Sequence, residues 1–317
     1  MNKIQLVEVN SEIGAGTRGA SLGIDAMKIA SINQGSSFFA KHSSIKVKDE
    51  NQILFGNSEK SYAKNIKTIT GISKKICKSL KSVINSKSFP IVLAGDHSNA
   101  AGTIAGLKSA HPKKRLGVIW VDAHADLHSP YTTPSGNIHG MPLAISLAED
   151  NLDRQINDLP KSIKKNWEKL KNTSGFAPNI LPSDIVFIGV RDTEEPEDYL
   201  IEKHNIKNVA VTETRMKGID TIVHDINHYL NDCDLIYISF DVDSMDCMYV
   251  SHGTGTPVPV GFTEWEATQI LLKLLKNEKV CCFELTEVNP TLDEKCNVMA
   301  ETAFRILEKA AAVIEAK

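Results

Sequence analysis

The sequence lacks the features that would place it in a membrane or on nucleic acid. None of its 317 residues fall in a run approaching 18 consecutive apolar side chains, so no membrane-spanning helix is predicted. The formal net charge is only −3, which gives no electrostatic basis for a nucleic-acid partner or an anionic membrane surface. The first residues show no basic stretch followed by an apolar one, as a secretory signal would. These absences favour a cytoplasmic protein.

Cysteine is sparse and has none of the usual redox or metal-binding spacings. The six cysteines form no CxxC pair, and two of them are adjacent. This usage predicts reduced packing residues rather than disulfides. Internal repeats, low-complexity stretches and a Pro/Gly/Ser linker are also missing. We therefore predict a single domain over residues 1–317.

What the chain does contain is a series of short apolar runs that alternate with helical periodicity. The runs predict strands at 4–9, 89–96, 116–124, 184–191, 208–212, 234–243 and 280–289. Helices are predicted at 57–86, 98–110, 217–231, 264–276 and 294–316, and the polar segment 149–183 is expected at the surface. Strands that are apolar on both faces indicate a mostly parallel sheet covered by helices on both sides. The predicted fold class is three-layer α/β.

Acidic and histidine side chains are concentrated where four of these strands end. In such sheets, ligands bind at the carboxyl ends of the strands. The strand at 89–96 is followed by His97, and the later strand ends carry Asp122, His124, Asp126, Asp241, Asp243 and Glu287. We expect these side chains to meet at one edge of the sheet.

This set of ligands suits a pair of divalent cations. Alternate residues of a strand end point to the same side, which groups Asp122 with His124 and Asp126, and Asp241 with Asp243. Carboxylates and imidazoles together suit borderline-hard divalent ions, and two such ions activate a hydroxide at neutral pH. A DxHxD motif alone is equally compatible with a capped loop. Its combination with the motifs at two other strand ends favours a metal site.

At this point the chain resembles the ureohydrolases, the family of arginase, agmatinase and formimidoylglutamase. The matching motifs occur in the family's order and are "LAGDHSNA" (93–100), "VDAHADLH" (121–128), "SGNIHGMPLA" (135–144), "SFDVDSMD" (239–246), "GTGTPV" (253–258) and "ELTEVNP" (284–290). Two of them, "SGNIHGMP" and "EVNP", resemble the arginase branch more than the agmatinase branch.

The resemblance implies two Mn²⁺ ions per chain, with Co²⁺ as the alternative. One ion would be held by His97, Asp122, Asp126 and Asp241, and the other by Asp122, His124, Asp241 and Asp243. Asp122 and Asp241 would then bridge the two ions. A metal-bridging hydroxide would attack the guanidinium carbon of L-arginine and release L-ornithine and urea. The family resemblance also implies a homo-oligomer, either a trimer or a hexamer.

The resemblance also assigns residues to the substrate. His139 resembles the proton-shuttling histidine, and Glu287 resembles the carboxylate that pairs with the guanidinium. At the amino-acid end, Ser135 and Asn137 resemble the readers of the α-carboxylate. Thr133 and Asp192 are expected to add contacts at this end. Thr256 is expected to hold Glu287 in position.

Three features depart from the family's pattern. His128 stands where most arginases of this kind carry Asn. It is equally compatible with a donor to the α-carboxylate and with a residue that has no contact with the substrate. Glu194 stands where the family commonly has an Asp that binds the α-amino group, so either Glu194 or Glu195 is expected to reach it. The connection "DCMYVSHGTGT" (246–256) is one residue longer than the common form.

Other functions stay open at this stage. Agmatine or guanidinobutyrate are alternative substrates, and a zinc deacetylase and an inactive homologue are more distant alternatives.

Two further motifs are interpreted as structural. "GAGTRG" (14–19) matches a dinucleotide-binding pattern, but Asp and Glu are missing from 26–47, where the ribose-binding acid would lie. His224 and His228 have the spacing of a zinc protease helix, yet the Glu that should follow the first His is an Asp.

Overall fold

The computed structural model describes residues 3–56, 61–294 and 297–317, and eight strands in this part of the chain form one sheet. The strands are β1 (Ile4–Val9), β2 (Ser44–Lys46), β3 (Phe89–Ala94), β4 (Leu116–Val121), β5 (Ile185–Ile188), β6 (Lys207–Val209), β7 (Leu235–Asp241) and β8 (Val280–Thr286). Every neighbouring pair is parallel. The order across the sheet is β2-β1-β3-β8-β7-β4-β5-β6. The predicted fold class is confirmed.

Helices connect the strands and cover both faces of the sheet. They are α1 (Gly23–Asn33), α2 (Phe38–Lys41), α3 (Ile66–Asn85), α4 (Ala100–Ala110), α5 (Pro142–Leu147), α6 (Lys161–Lys171), α7 (Glu195–His204), α8 (Val211–Lys217), α9 (Ile219–Tyr229), α10 (Glu264–Leu274) and α11 (Val298–Glu315). None of the described helices is both long and apolar enough to cross a membrane.

Two hydrophobic cores lie on opposite faces of the sheet. The alternation along β4 shows this directly, because Ile119 belongs to the core that includes residues of α1, α9, α10 and α11, while Trp120 belongs to the core that includes residues of α3 to α7. Strands β3 and β4 are buried along their whole length, which explains their unbroken apolar sequences. On α3, apolar residues recur every three or four positions, and the stripe they form is buried against the sheet.

The strand order brings the predicted site residues together. β3, β8, β7 and β4 are consecutive neighbours at the centre of the sheet. All four run in the same direction, so the polar clusters that follow them lie side by side at one edge. This arrangement depends on crossover connections between strands that are far apart in the sequence.

The structure differs from the predicted elements in several places. The helix predicted at 217–231 corresponds to α9, and a separate helix, α8, precedes it; the two are divided at Gly218, whose φ of 82° is unfavourable for residues with a side chain. The helix predicted at 57–86 begins only at Ile66, and residues 57–60 lie outside the described part of the chain. The three-residue edge strand β2 and the helices α1, α2, α5, α7 and α8 were not predicted, because their apolar patterns are short.

Candidate metal centre and substrate cavity

One cavity of about 260 Å³ lies at the carboxyl edge of the central strands. Of the residues that the sequence nominates, all but Glu195 line it, namely His97, Asp122, His124, Asp126, His128, Thr133, Ser135, Asn137, His139, Asp192, Glu194, Asp241, Asp243, Thr256 and Glu287. The cavity is small and polar at its base, which suits a ligand of amino-acid size.

The base of the cavity holds two groups of potential metal ligands. His97, Asp122 and Asp241 offer three ligand atoms within 4.8 Å of one another, and Asp122, His124 and Asp243 do the same. Asp122 belongs to both groups. Its Oδ2 lies 3.0 Å from His97 Nδ1, and its Oδ1 lies 3.5 Å from His124 Nδ1. Asp122 is therefore placed to bridge two cations.

The remaining carboxylates contact these groups unequally. Asp126 Oδ2 lies 3.2 Å from His97 Nδ1, on the side of the first group. Asp241 Oδ2 lies 3.1 Å from the same nitrogen, whereas its Oδ1 accepts the N–H of Asp243 at 2.9 Å. Asp241 was expected to bridge along with Asp122. In the described residues its ligand atom belongs to the first group only.

Two buried atoms in the first group indicate that a cation fits here. His97 Nδ1 and Asp122 Oδ2 are close, yet neither has a hydrogen-bond partner in the described structure. His97 Nε2 contacts Ser239 Oγ at 2.8 Å, and a proton on Nε2 leaves the Nδ1 lone pair free to bind a metal. The imidazole also stacks on Trp120, with ring centroids 4.0 Å apart. The ring is thus fixed before any ligand binds.

The electrostatics of the base also favour cations. Burial, together with the neighbouring carboxylates, raises the pKa of Asp126 and Asp241 well above the ordinary value. Buried carboxylates this close repel one another when ionised, and a bound dication removes that cost. The residues present fit a pair of divalent ions.

Backbone strain is concentrated at the same place. Asp126 has a φ of 52° and Glu287 a φ of 66°, in the left-handed region that residues with a side chain rarely adopt. Such strain costs about 1–3 kcal/mol per residue and often marks a functional site. The two carboxylates reach the cavity because the backbone turns sharply after β4 and β8.

Glu287 and His139 face each other above the metal ligands. Glu287 is almost fully buried, and its Oε1 accepts the N–H of His97 at 2.9 Å and lies 3.4 Å from His139 Nδ1. Burial lowers the pKa of His139, but the hydrogen bond and charge of Glu287 outweigh it, so the pKa is raised above the ordinary value. Thr256 was expected to steady Glu287. Its hydroxyl instead donates to Asp243 Oδ2 at 3.2 Å.

A loop at residues 133–137 forms one wall of the cavity. The Gly136 N–H donates to Thr133 Oγ1 at 3.0 Å, and the Asn137 N–H donates to Ser135 Oγ at 3.2 Å. These bonds within the loop give it a fixed shape. Ser135 is exposed at the cavity mouth and Asn137 is half-buried.

Another part of the cavity wall is formed by the start of α7 and contains a residue that the sequence did not suggest. His128 Nε2 lies 3.4 Å from Glu194 Oε2 and 3.5 Å from Glu197 Oε2. Glu197 also accepts the N–H of Leu127 at 3.0 Å and that of Glu194 at 3.1 Å, and burial raises its pKa to about 7. His128 therefore lies among acidic groups. The Glu-x-x-Glu spacing at 194–197, a pattern of helix starts, is the signal that could have found Glu197.

Neither of the two motifs interpreted as structural contributes to the two groups of potential metal ligands found in the described residues. Gly14 donates its N–H to Asp96 Oδ2 at 2.8 Å, and an added Cβ there would lie 2.5 Å from Ser98 Oγ. The glycine-rich segment is thus a turn packed against the end of β3. His224 lies exposed on α9 and belongs to neither group of potential metal ligands.

Comparison with known proteins agrees with this geometry. The sequence profile of the Arginase family matches residues 2–312. The chain is 34% identical to the arginase of Bacillus subtilis (strain 168) over 96% of both chains. A crystal structure of Bacillus subtilis arginase matches with a TM-score of 0.81 and 33% identity over 97% of both chains. The Entamoeba histolytica arginase, in complex with L-ornithine, matches with a TM-score of 0.83 and 25% identity over 98% of both chains.

Proposed function

The chain belongs to the arginase family, and we propose that it hydrolyses the guanidinium group of L-arginine to L-ornithine and urea. The observation that carries this proposal is the position of the two ligand groups, which share Asp122, at the base of a cavity whose walls carry Glu287 and Asn137. A deacetylase that binds a single metal ion would not need the second group of potential metal ligands.

The metal ligands proposed are those that the resemblance assigned. His97, Asp122, Asp126 and Asp241 would hold one ion, and Asp122, His124, Asp241 and Asp243 the other. We propose Mn²⁺ as the resident ion, with Co²⁺ as the alternative, because both accept mixed imidazole and carboxylate ligands. When bound, such ions would lower the pKa of a coordinated water and so supply a nucleophile at neutral pH.

Glu287 positions the substrate guanidinium. Its carboxylate is buried, and a planar guanidinium pairs with a carboxylate through two parallel hydrogen bonds. The His97 N–H holds one carboxylate oxygen in place at 2.9 Å. Because the same oxygen lies 3.4 Å from His139 Nδ1, the guanidinium and the imidazole meet at this carboxylate.

His139 moves the proton. The Glu287 carboxylate raises its pKa and so favours the protonated imidazole, which can donate to the departing amine and be reprotonated from solvent. It is half-buried and lines the cavity, which gives it access to both substrate and water.

The amino-acid end of the substrate lies between the two walls. Ser135 and Asn137, with Thr133 behind them, read the α-carboxylate. Across the cavity, Asp192, Glu194 and Glu197 form an acidic surface for the α-ammonium group. His128 lies between Glu194 and Glu197, so we assign it to this ammonium side rather than to the carboxylate. Glu195, on α7, pairs with Arg154 at 2.7 Å, which favours Glu194 as the acid that reaches the substrate.

We further propose a cytoplasmic homo-oligomer, a trimer or hexamer. The location is supported by the five described cysteines, which are free thiols. The sixth, Cys296, lies outside the described residues. The oligomer rests on the family resemblance.

The decisive experiment compares kcat/KM for L-arginine and agmatine, which lacks the α-carboxylate. The protein should be loaded with Mn²⁺ and, separately, with Co²⁺, and urea release should be measured. A clear preference for arginine is expected. A preference for agmatine or guanidinobutyrate would replace arginase activity with another activity of the ureohydrolases.

A further inference from the structure

We propose that Lys64 is a positioning residue that sets the preference for substrates with an α-carboxylate, because it fixes the orientation of the Asn137 amide. Lys64 lies on the segment that precedes α3, outside the substrate cavity. The inference rests on the proposed function, in which Asn137 reads the α-carboxylate of arginine.

Lys64 holds two consecutive residues of the loop at 133–137, which is proposed to bind the α-carboxylate. Its Nζ donates to Asn137 Oδ1 at 2.9 Å, and its backbone N–H donates to Gly136 O at 2.9 Å. The two segments are packed backbone to backbone, since a Cβ on Gly136 would lie 2.0 Å from Ser61 O. Gly136 also has a φ of 76°. Besides its internal hydrogen bonds, the loop is therefore held by the segment that carries Lys64.

The chemistry of the Lys64 contact determines which way the amide faces. An ammonium group only donates hydrogen bonds, so it selects the amide oxygen of Asn137. The two N–H donors of Nδ2 must then point away from Lys64. A substrate carboxylate only accepts hydrogen bonds, so it binds this orientation and is repelled by the flipped one.

Gly16 leaves the space that this orientation needs. A Cβ added at Gly16 would lie 2.7 Å from Asn137 Nδ2, closer than real Cβ atoms approach. The amide is thus held at its oxygen by Lys64 and given room at its nitrogen by a glycine. These are independent observations on opposite ends of one side-chain amide.

Lys64 acts through Asn137 and not on the substrate directly. Asn137 lines both the substrate cavity and a neighbouring cavity of about 570 Å³, whereas Lys64 lines only the neighbouring one. Loss of Lys64 should therefore affect a substrate that has an α-carboxylate and spare one that lacks it. Agmatine, which differs from arginine in this group, is the matched probe.

The test measures kcat/KM for arginine and agmatine in Lys64→Met and Lys64→Arg. In Lys64→Met the ratio of arginine to agmatine should fall about tenfold, the typical effect of a charge-assisted hydrogen bond. The loss should lie mainly in KM for arginine. Lys64→Arg, which is also an obligate donor, should restore most of the ratio.

Lys67→Met is the control for loss of a positive charge. Lys67 is exposed on the first turn of α3 and lines the same neighbouring cavity, so the substitution removes an equal charge nearby. It should leave the ratio unchanged. If Lys64→Met fails to fold, Gly16→Ala serves instead, because its methyl group would displace Asn137 Nδ2 and should lower the same ratio.

Two results would overturn the inference while leaving the proposed function intact. The first is an unchanged ratio in Lys64→Met and in Gly16→Ala, with wild-type hydrolysis of arginine. The second is an equal fall for both substrates, which would indicate a purely structural role. If the wild-type protein releases no urea from arginine, the proposed function fails, and this inference fails with it.

Discussion

Replacement of Glu287 by Gln should reduce turnover of arginine strongly while leaving the fold and the metals in place. Gln has the same shape, and its amide oxygen can still accept the His97 N–H that Glu287 accepts at 2.9 Å. What is lost is one negative charge in a nearly fully buried position opposite the guanidinium.

The size of the effect follows from this burial. Removing one partner of a buried, hydrogen-bonded charge pair costs about 2–4 kcal/mol, which lowers kcat/KM for arginine about 30- to 1,000-fold. Both the charge of Glu287 and its hydrogen bond raise the pKa of His139, so that pKa should fall in the variant. The fraction of protonated His139 at neutral pH should then fall as well.

The assay is urea release at saturating Mn²⁺, with metal per chain and thermal midpoint measured on the same samples. Glu8→Gln is a matched control, because Glu8 is a buried carboxylate that pairs with Lys28 at 2.7 Å and does not line the cavity. The control should lower stability without changing kcat/KM. A Glu287→Gln variant with kcat/KM near the wild-type value would refute the role of Glu287.

Three further predictions concern the metals, the proton and the acidic wall. His139→Ala should retain its metals and lower kcat about 10²- to 10⁴-fold, as expected for loss of a general acid; unchanged urea release would exclude the proton-transfer role. Asp126→Ala and Asp243→Ala should each lose bound metal and melt at lower temperature, since metal binding favours the folded state. Metal content can be measured by mass spectrometry, and two metals per chain in either variant would contradict the ligand assignment. The pKa of Glu197 is raised by burial from 4.5 to about 7, so its contribution to folding is greatest below pH 4.5 and is lost as pH rises through 7. The thermal midpoint of the wild type, relative to that of Glu197→Gln, should therefore fall between pH 5 and pH 8. A difference between the two midpoints that does not change with pH would contradict this.

The clustering of potential metal ligands could be predicted from the sequence because these residues end or follow strands with a clear apolar pattern. Asp122 directly follows β4 and Asp241 is the last residue of β7, and parallel strands bring such ends to one edge whatever their order. The strand order itself depends on long-range packing of helices on two faces, which no local pattern contains.

The acidic wall could be predicted only in part. Glu194 was found by resemblance, but Glu197 lies on α7, whose short and mostly polar sequence gave no clear helical pattern. The contact of Thr256 with Asp243 and the contact of Lys64 with Asn137 join segments distant in sequence. Contacts of this kind follow from the fold and not from a motif.

The measurement that tests the central claim most directly is a titration of metal-free protein with Mn²⁺, followed by urea release from L-arginine. If two ions share Asp122 at the base of the cavity, activity should rise to a plateau at two equivalents of metal per chain. A plateau at one equivalent, or no urea release from arginine at any metal content, would contradict a two-metal arginase.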